Sequence, residues 1–150
     1  MKNTKILLAA LLFSATSVVA HETKGEAEYC LAQNIYFESR GESRAGQIAV
    51  GHVTLNRKNH EQFPNTICEV VWERKQFSWT HDGLSDRPRN KEAWQRAQNI
   101  ARGILNGEIE DNTNGALFFH STRVKPYWIR KMDFQIKIGR HLFYVWDGKW

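Results

Sequence analysis

Two glutamates, Glu38 and Glu42, stand about one helical turn apart in the stretch IYFESRGES, which covers residues 35–43. At about 100° per residue, a helix through this stretch brings Glu38 to within roughly 20° of Leu31. Glu38 is therefore predicted on the apolar stripe of that helix. Burial raises the pKa of a carboxyl group, and a general acid needs a raised pKa to keep its proton near neutral pH. The pattern predicts Glu38 as a catalytic acid.

A structural role is the alternative for Glu38. The side chain could form an ion pair with one of three arginines, Arg40, Arg44 or Arg57. It could also face solvent, because Gly41 is expected to end the helix and helix ends fray. Periodicity alone leaves these roles open.

Glu42 and two aspartates are the candidates for a second catalytic carboxylate. Glu42 is predicted to orient the adjacent loop or to stabilise charge, and direct catalysis is its alternative role. Asp82 and Asp86 lie in a later irregular stretch, where turn formation is the favoured role, especially for Asp82 before Gly83. Glycoside hydrolysis by water generally uses two carboxylates, so these residues decide which reaction is available.

The elements around these residues are predicted to form an α+β domain that is mainly helical. A helix from Glu26 ends at Gly41, and Ser43 caps the next one. A short helix follows position 65 or 66, and a fourth begins after Asn90 and stops at residues 106–107. Strands are predicted over residues 116–120, 134–138 and 141–146, the last two forming a small antiparallel hairpin near the C-terminus with its turn at residues 139–140.

Residues 74–90 show no steady period and are predicted as an irregular loop. Long irregular connections in small domains are usually functional. Carbohydrate sites combine flat aromatic faces with a few amide or hydroxyl groups that fix the ligand's orientation. The loop and the segment after residue 118 supply the candidates for substrate binding: Gln76, Ser78, Trp79, His120 and Tyr127.

Several short motifs follow one another along the chain. The stretch LAQNIYFESRGESRAGQIAVGHVTLNR precedes FPNTICEVVWERKQFSW, GALFFH, YWIR and IGRHLFYV. In this order they resemble the SleB-type cell-wall hydrolases, relatives of spore-cortex lytic enzymes. The resemblance extends from about residue 30 to residue 145, with two departures. Ser39 stands where the family pattern has alanine, and His120 stands where many relatives have asparagine.

The resemblance implies an enzyme that cleaves the bond between N-acetylmuramic acid (MurNAc) and N-acetylglucosamine (GlcNAc) in peptidoglycan glycan strands. It also implies a lysozyme-like muramidase architecture, with Glu38 as general acid/base in the manner of a lytic transglycosylase. Such an enzyme needs only one carboxylate, because the C6 hydroxyl of the substrate attacks the anomeric carbon. No cofactor is expected for this chemistry.

The first twenty residues are typical of an export signal. Lys2 and Lys5 precede an apolar run that ends at Ala20, which predicts a signal peptide over residues 1–20 and a catalytic domain over 21–150, with its core at about 30–145. An uncleaved tether is the alternative, but the run is short for a spanning helix, which needs about 20 residues, so no stable membrane insertion is expected. Export to the periplasm or the cell exterior favours a disulfide between Cys30 and Cys68 over two buried thiols.

The bulk composition suits one soluble domain of 150 residues, since 41% of the residues are apolar and 25% are charged. The net charge is +5, and most of it lies beyond the predicted signal peptide, so an anionic partner such as the cell wall fits. The basic residues are scattered and match no nucleic-acid recognition motif, so a nucleic-acid partner is not expected. The domain is expected to be a monomer.

Two rival functions fit parts of the sequence. The first is a zinc-dependent N-acetylmuramoyl-L-alanine amidase, but the six histidines form no HExxH or other close ligand pair, so no metal site is predicted. The second is a peptidoglycan-binding module without catalysis. An acid on an apolar stripe, next to a long polar loop, argues against a module that only binds.

Overall fold

The computed structural model describes residues 21–146. The predicted signal peptide over residues 1–20 lies outside the described residues, as does the segment 147–150. The α-helices are α1 (Lys24–Ser39), α2 (Arg44–Lys58), α3 (Ile67–Trp72) and α4 (Lys91–Leu105), and the strands are β1 (Phe118–Ser121), β2 (Met132–Ile138) and β3 (His141–Trp146). Short 3₁₀ helices cover Ser78–His81 and Tyr127–Lys131. The predicted class, mainly helical α+β with a small antiparallel sheet, is confirmed.

Side-chain caps determine where the helices begin. Ser43, Thr66 and Asn90 each accept a hydrogen bond from a backbone N–H in the first turn of the helix that follows. These three caps confirm the predicted starts of α2, α3 and α4. Helix α1 begins two residues before the predicted start, because Thr23 and Glu26 form a reciprocal capping box.

Helix α1 is the centre of the helical part and packs against α2, α3 and α4. Leu31, Ala32 and Ile35 are fully buried, and so is the polar Asn34. Asn34 donates a hydrogen bond to the hydroxyl of Thr54 at 3.0 Å, so its amide is satisfied inside the core. The helix is therefore buried around most of its circumference, more widely than the single apolar stripe predicted.

The predicted disulfide between Cys30 and Cys68 is present and joins α1 to α3, with 5.2 Å between the two Cα atoms. The bridge closes a loop of 38 residues. By the chain-entropy model, a loop of that size stabilises the fold by about 3–4 kcal/mol. The disulfide therefore anchors α3 to the same helix that carries Glu38.

The three strands form one antiparallel sheet in the order β1-β3-β2. The hairpin of β2 and β3 turns at residues 139–140, as predicted, and Gly139 has a φ of +57°, which favours glycine. Strand β1 pairs with the other edge of β3, where Phe119 lies opposite Phe143. This sheet brings the hairpin turn to the end of α1.

Candidate active site

Glu38 lies on the last turn of α1, where three cavities meet. The loop cavity, about 530 Å³, is bordered by Trp79 and residues 82–89. The core cavity, about 300 Å³, is bordered by Arg57 and residues 75–78. The hairpin cavity, about 230 Å³, is bordered by Glu42 and residues 140–141. Glu38 lines all three cavities, which we together call the groove.

The carboxyl group of Glu38 is shielded from water but has no direct partner within residues 21–146, where it forms neither a hydrogen bond nor an ion pair. Burial raises its pKa to about 7, and the positive charge of Arg57 acts in the opposite direction. A substantial share of the molecules therefore carry a proton on Glu38 at neutral pH. The structural ion pairs considered for Glu38 are not formed in the described chain.

Arg57 places a fixed positive charge in the core cavity beside Glu38. Its Nε donates a hydrogen bond to the carbonyl of Leu117 at 2.7 Å. The rings of Phe63, Phe77 and Phe118 lie 5.2–5.5 Å from its guanidinium carbon. Burial lowers the pKa of Arg57 to about 10, so the group stays protonated at neutral pH.

Arg57 is only partly compensated by its surroundings. Its Nη1 is buried and has no hydrogen-bond partner among the described residues, and neither does Oε2 of Glu73. Both Glu73 and Glu38 favour the charged form of Arg57 through space. The arginine therefore acts on the Glu38 carboxyl by electrostatics rather than by a direct contact.

Glu42 has the opposite environment to Glu38. Its carboxylate accepts a hydrogen bond from Nε of Arg140 at 2.8 Å and lies 2.7 Å from Nη2 of the same arginine. The side chain is only 8% exposed. Burial raises the pKa of Glu42, but the hydrogen bonds and charge of Arg140 outweigh it, so the pKa lies below its ordinary value.

The contact of Glu42 with the hairpin is close. A Cβ added to Gly139 would lie 2.6 Å from Oε2 of Glu42, so a larger residue in the turn would displace the Glu42 carboxylate. Glu42 also accepts a bond from the backbone N–H of Arg140 at 3.3 Å. The ionised Glu42 thus holds the β2–β3 turn against the end of α1, whereas the sequence predicted that it orients the loop next to it in the chain.

The predicted loop residues lie around Glu38, each in a different way. Gln76 and Ser78 line the core cavity, and Ser78 also lines the loop cavity. Trp79 borders the loop cavity but is 6% exposed, and its indole N–H donates to Asn34 at 3.0 Å. Its ring stacks on Phe37 at 4.7 Å, so Trp79 forms a wall of the groove rather than an open platform for a sugar ring.

Asp82 and Asp86 both line the loop cavity. The carboxylate of Asp82 accepts a hydrogen bond from the backbone N–H of Leu84 at 2.8 Å, and Gly83 has a φ of +76°. This is the turn geometry that the sequence favoured for Asp82. The backbone carbonyl of Asp86 accepts a bond from Gln33, which ties the loop to α1.

The structure does not bring His120 and Tyr127 to the cavities that Glu38 lines. Side chains alternate along a strand, so Phe119 faces the core cavity and His120 turns to the other side of β1. There His120 is buried, with Nδ1 donating to the carbonyl of Ser121 and Nε2 accepting from the hydroxyl of Tyr144. Tyr127 is 87% exposed on a 3₁₀ helix that the sequence pattern did not predict.

The sequence pattern offered Arg57 only as an ion-pair partner and did not single out Arg140 or Phe119 as site residues. A signal for Arg57 was available, because it lies seven residues after Val50 and four after Val53 and so shares their buried helix face. No comparable signal pointed to Arg140, whose role depends on sheet pairing. Within residues 21–146, no group of three or more His, Cys, Asp or Glu side chains could hold a metal ion.

The site has a shielded acid at the end of a buried helix, in a groove between a helical part and a small antiparallel sheet, which is the arrangement of the lysozyme-like fold class. The family model described as cell wall hydrolase matches residues 41–144. The chain belongs to this family, as the motif order indicated. The matched residues begin just after Glu38, so the family match does not itself include this glutamate.

Similar sequences are spore cortex-lytic enzymes. The enzyme of Bacillus cereus is 35% identical over 114 residues, which are 75% of this chain and 42% of that protein. The enzyme of Bacillus subtilis strain 168 is 36% identical over 117 residues, or 75% of this chain and 35% of that protein. The chain thus spans less than half the length of these curated relatives.

Two solved structures are similar over nearly their whole length. The catalytic domain of the germination-specific lytic transglycosylase SleB from Bacillus anthracis has a TM-score of 0.69 and 31% identity, covering 85% of this chain and 99% of that chain. The catalytic domain of the Bacillus cereus SleB protein has a TM-score of 0.66 and 29% identity, covering 88% and 99%. The expected lysozyme-like architecture is confirmed.

Proposed function

We propose that this chain is a lytic transglycosylase that cleaves the MurNAc–GlcNAc bond of peptidoglycan, with Glu38 as its general acid and base. The observation that carries the proposal is the pKa of about 7 that burial gives Glu38, in the groove formed by the three cavities that this residue lines. The similarity to a lytic transglycosylase domain across 99% of its length supports the same reaction.

In the first step, protonated Glu38 donates its proton to the glycosidic oxygen while the bond from that oxygen to the anomeric carbon breaks. Positive charge develops on the sugar, and negative charge appears on Glu38. The fixed charge of Arg57 stabilises the carboxylate as it forms. Because Arg57 forms no ion pair with Glu38 within the described chain, a substantial share of the molecules keep the proton on this carboxyl group at neutral pH.

In the second step, the C6 hydroxyl of the same sugar attacks the anomeric carbon, and the Glu38 carboxylate takes the proton from that hydroxyl. The product is a 1,6-anhydro sugar, and no water is consumed. Glu38 ends the cycle protonated, as it began, because a group with a pKa near 7 can both give and take a proton at neutral pH.

Two other carboxylates of the groove, those of Glu42 and Asp82, support a mechanism with one catalytic carboxylate. Glu42 is ionised and bound by Arg140, so its oxygens already have partners. Asp82 accepts a turn hydrogen bond from Leu84. To act as the base for an attacking water, Glu42 or Asp82 would have to leave such a contact, which favours the C6 hydroxyl of the substrate as the nucleophile. The carboxylate of Asp86, which forms no hydrogen bond within residues 21–146, is the remaining candidate for that base.

Mass spectrometry of sugars released from purified peptidoglycan tests this proposal. We expect anhydro-muropeptides from the wild type and from Glu28→Gln, a control on the same helix whose side chain pairs with Arg102. We expect none from Glu38→Gln. Release of reducing-end muropeptides would instead mean that the enzyme hydrolyses the bond with water and is not a transglycosylase. Free stem peptides, or full activity of Glu38→Gln, would contradict the proposal, and stem peptides would favour the zinc amidase.

We also propose that the protein is exported after cleavage at Ala20 and acts as a monomer in the periplasm or outside the cell. The disulfide of Cys30 and Cys68 supports an oxidising compartment. No helix within residues 21–146 is both long and apolar enough to cross a bilayer. The intact mass of the protein recovered from exporting cells should correspond to a chain that begins at His21, and light scattering should give the mass of one chain.

A further inference from the structure

A fourth cavity, of about 360 Å³, lies where the end of α1, the start of α2 and the outer face of α4 meet. We call it the interhelix cavity. Three arginines line it, one from each of these helical segments: Arg40, Arg44 and Arg96. Gln47 and Asn99 add amide groups to the same wall. The guanidinium groups are hydrogen-bond donors of the kind that bind anions, whereas the Gln47 amide already donates to the backbone carbonyl of Glu42 at 3.2 Å.

The positive charge of this cavity is poorly compensated. Arg40 and Arg44 form no ion pair with a carboxylate of residues 21–146. Arg96 lies 4.0 Å from Glu92, whose side chain is 91% exposed, so this pair is long and screened by water. The cavity therefore presents guanidinium groups whose donors are available to a ligand.

The one carboxylate that lines the interhelix cavity does not neutralise these arginines. It belongs to Glu42, which is bound by Arg140 at 2.7–2.8 Å on the hairpin side. Arg140 itself does not line the interhelix cavity. The ion pair of Glu42 and Arg140 thus balances itself and leaves the local excess of positive charge in place.

The interhelix cavity adjoins the groove around Glu38, because they share lining residues. Arg40 lines both the interhelix cavity and the loop cavity, and Glu42 lines both the interhelix cavity and the hairpin cavity. Glu38 lines both the loop cavity and the hairpin cavity. The interhelix cavity therefore lies beside the groove, where a side branch of a ligand held at Glu38 is the nearest part of that ligand.

We propose that the interhelix cavity binds a carboxylate of the peptide stem that the peptidoglycan glycan carries. This inference rests on the proposed function, because it takes the glycan strand as the ligand of the groove. Stem peptides are the anionic branches of that polymer, and an extended peptide of four residues reaches about 13–14 Å. Arginine is suited to carboxylates, since its planar fork can make two parallel hydrogen bonds to them.

A binding measurement tests the inference independently of cleavage. The parent protein is Glu38→Gln, and the probes are a soluble glycan fragment with stem peptides and the same fragment after their enzymatic removal. We expect tighter binding of the peptide-bearing fragment to the parent. Adding Arg44→Gln and Arg96→Gln should weaken that binding by about 2- to 5-fold per arginine and leave binding of the bare fragment unchanged.

Arg102→Gln is the matched control, because Arg102 also lies on α4 but pairs with Glu28 and does not line the interhelix cavity. It should change neither affinity. Equal affinity of the parent for both fragments, binding of neither, or an equal loss on both fragments in the arginine variants would overturn the inference. Glycan cleavage by the protein with Glu38 intact is measured in parallel, so failure of the proposed reaction is seen separately from failure of stem recognition.

Discussion

Glu38 and Glu42 lie four residues apart at the end of α1, and both are largely shielded from water, yet their pKa values move in opposite directions. Burial raises both values. Arg140 contacts Glu42 directly and reverses the effect, whereas Arg57 acts on Glu38 only from a distance. Burial without a direct cation partner therefore leaves the pKa of Glu38 raised, as a general acid needs. Burial against a bound arginine keeps Glu42 ionised, so that it holds the hairpin turn in place.

The largest effect is expected from removing the acid itself. Glu38→Gln keeps the shape of the side chain but cannot donate a proton to the glycosidic oxygen. General acid catalysis contributes about 10²- to 10⁴-fold, so kcat on purified peptidoglycan should fall by at least about 100-fold. Turnover assays with Glu28→Gln as the control check this. If kcat falls by less than about tenfold, a residue other than Glu38 is the general acid.

The same substitution should change how stability depends on pH. The folded state raises the pKa of Glu38 from about 4.5 to about 7, so the unfolded chain loses this proton at lower pH than the folded one. Stability of the wild type should therefore fall between those two values as pH rises, by up to about 3 kcal/mol. Glu38→Gln should lack this loss. Urea unfolding at pH 4.5 and pH 8 measures it, and parallel curves for both proteins would refute the raised pKa.

Two substitutions near Arg57 should move the pKa of Glu38 in opposite directions. Arg57→Met removes the charge that lowers this pKa, so the limb of the activity profile where Glu38 deprotonates should shift to higher pH. Glu73→Gln removes a carboxylate that competes for Arg57, so the limb should shift to lower pH. Shifts of about 0.5–1 pH unit are expected. Profiles of kcat/KM against pH check both, and shifts of the same sign would contradict the account.

The smallest effect is expected at the clamp. Arg140→Gln removes the ion pair, so the pKa of Glu42 should rise towards that of Glu38, which NMR titration of the carboxyl carbon can follow. Because Arg140 is more than half exposed, the loss of stability should be only about 1 kcal/mol at neutral pH. The pKa of Glu42 is lower in the folded chain than in the unfolded chain. Glu42 therefore stabilises the fold at pH values above the unfolded pKa, and this contribution is lost as the pH falls through the folded pKa. An unchanged pKa of Glu42 would exclude Arg140 as the cause.

The sequence pattern predicted features that depend on nearby residues. Ser43, Thr66 and Asn90 cap helices through bonds that span three residues, so their roles are visible locally. The turn at residues 139–140 was predicted for the same reason. The predicted strand boundaries were less accurate. Strand β1 covers Phe118–Ser121 where residues 116–120 were predicted, and β2 begins at Met132 where residue 134 was predicted.

The face of β1 that meets the groove was not predictable in the same way. His120 was expected in the groove, but Phe119 takes that place, because the register with β3 decides which side chains point to Glu38. Tyr127 was expected there too, but it lies on a 3₁₀ helix that no simple periodicity indicates. Loop residues such as Gln76 and Ser78 were predicted near Glu38 and lie there, because their loop follows α3, which the disulfide ties to α1.

Sequence patterns alone predicted the starts of α2, α3 and α4, the hairpin, the cysteine pairing and the presence of a glutamate on a buried helix. Only the tertiary structure decided which glutamate keeps its proton. That choice depends on cations distant along the chain, since Arg140 is 98 residues from Glu42, and Arg57 reaches Glu38 only because α2 packs against α1. Electrostatic energies depend on distances in space and on burial, and neither can be read from local spacing.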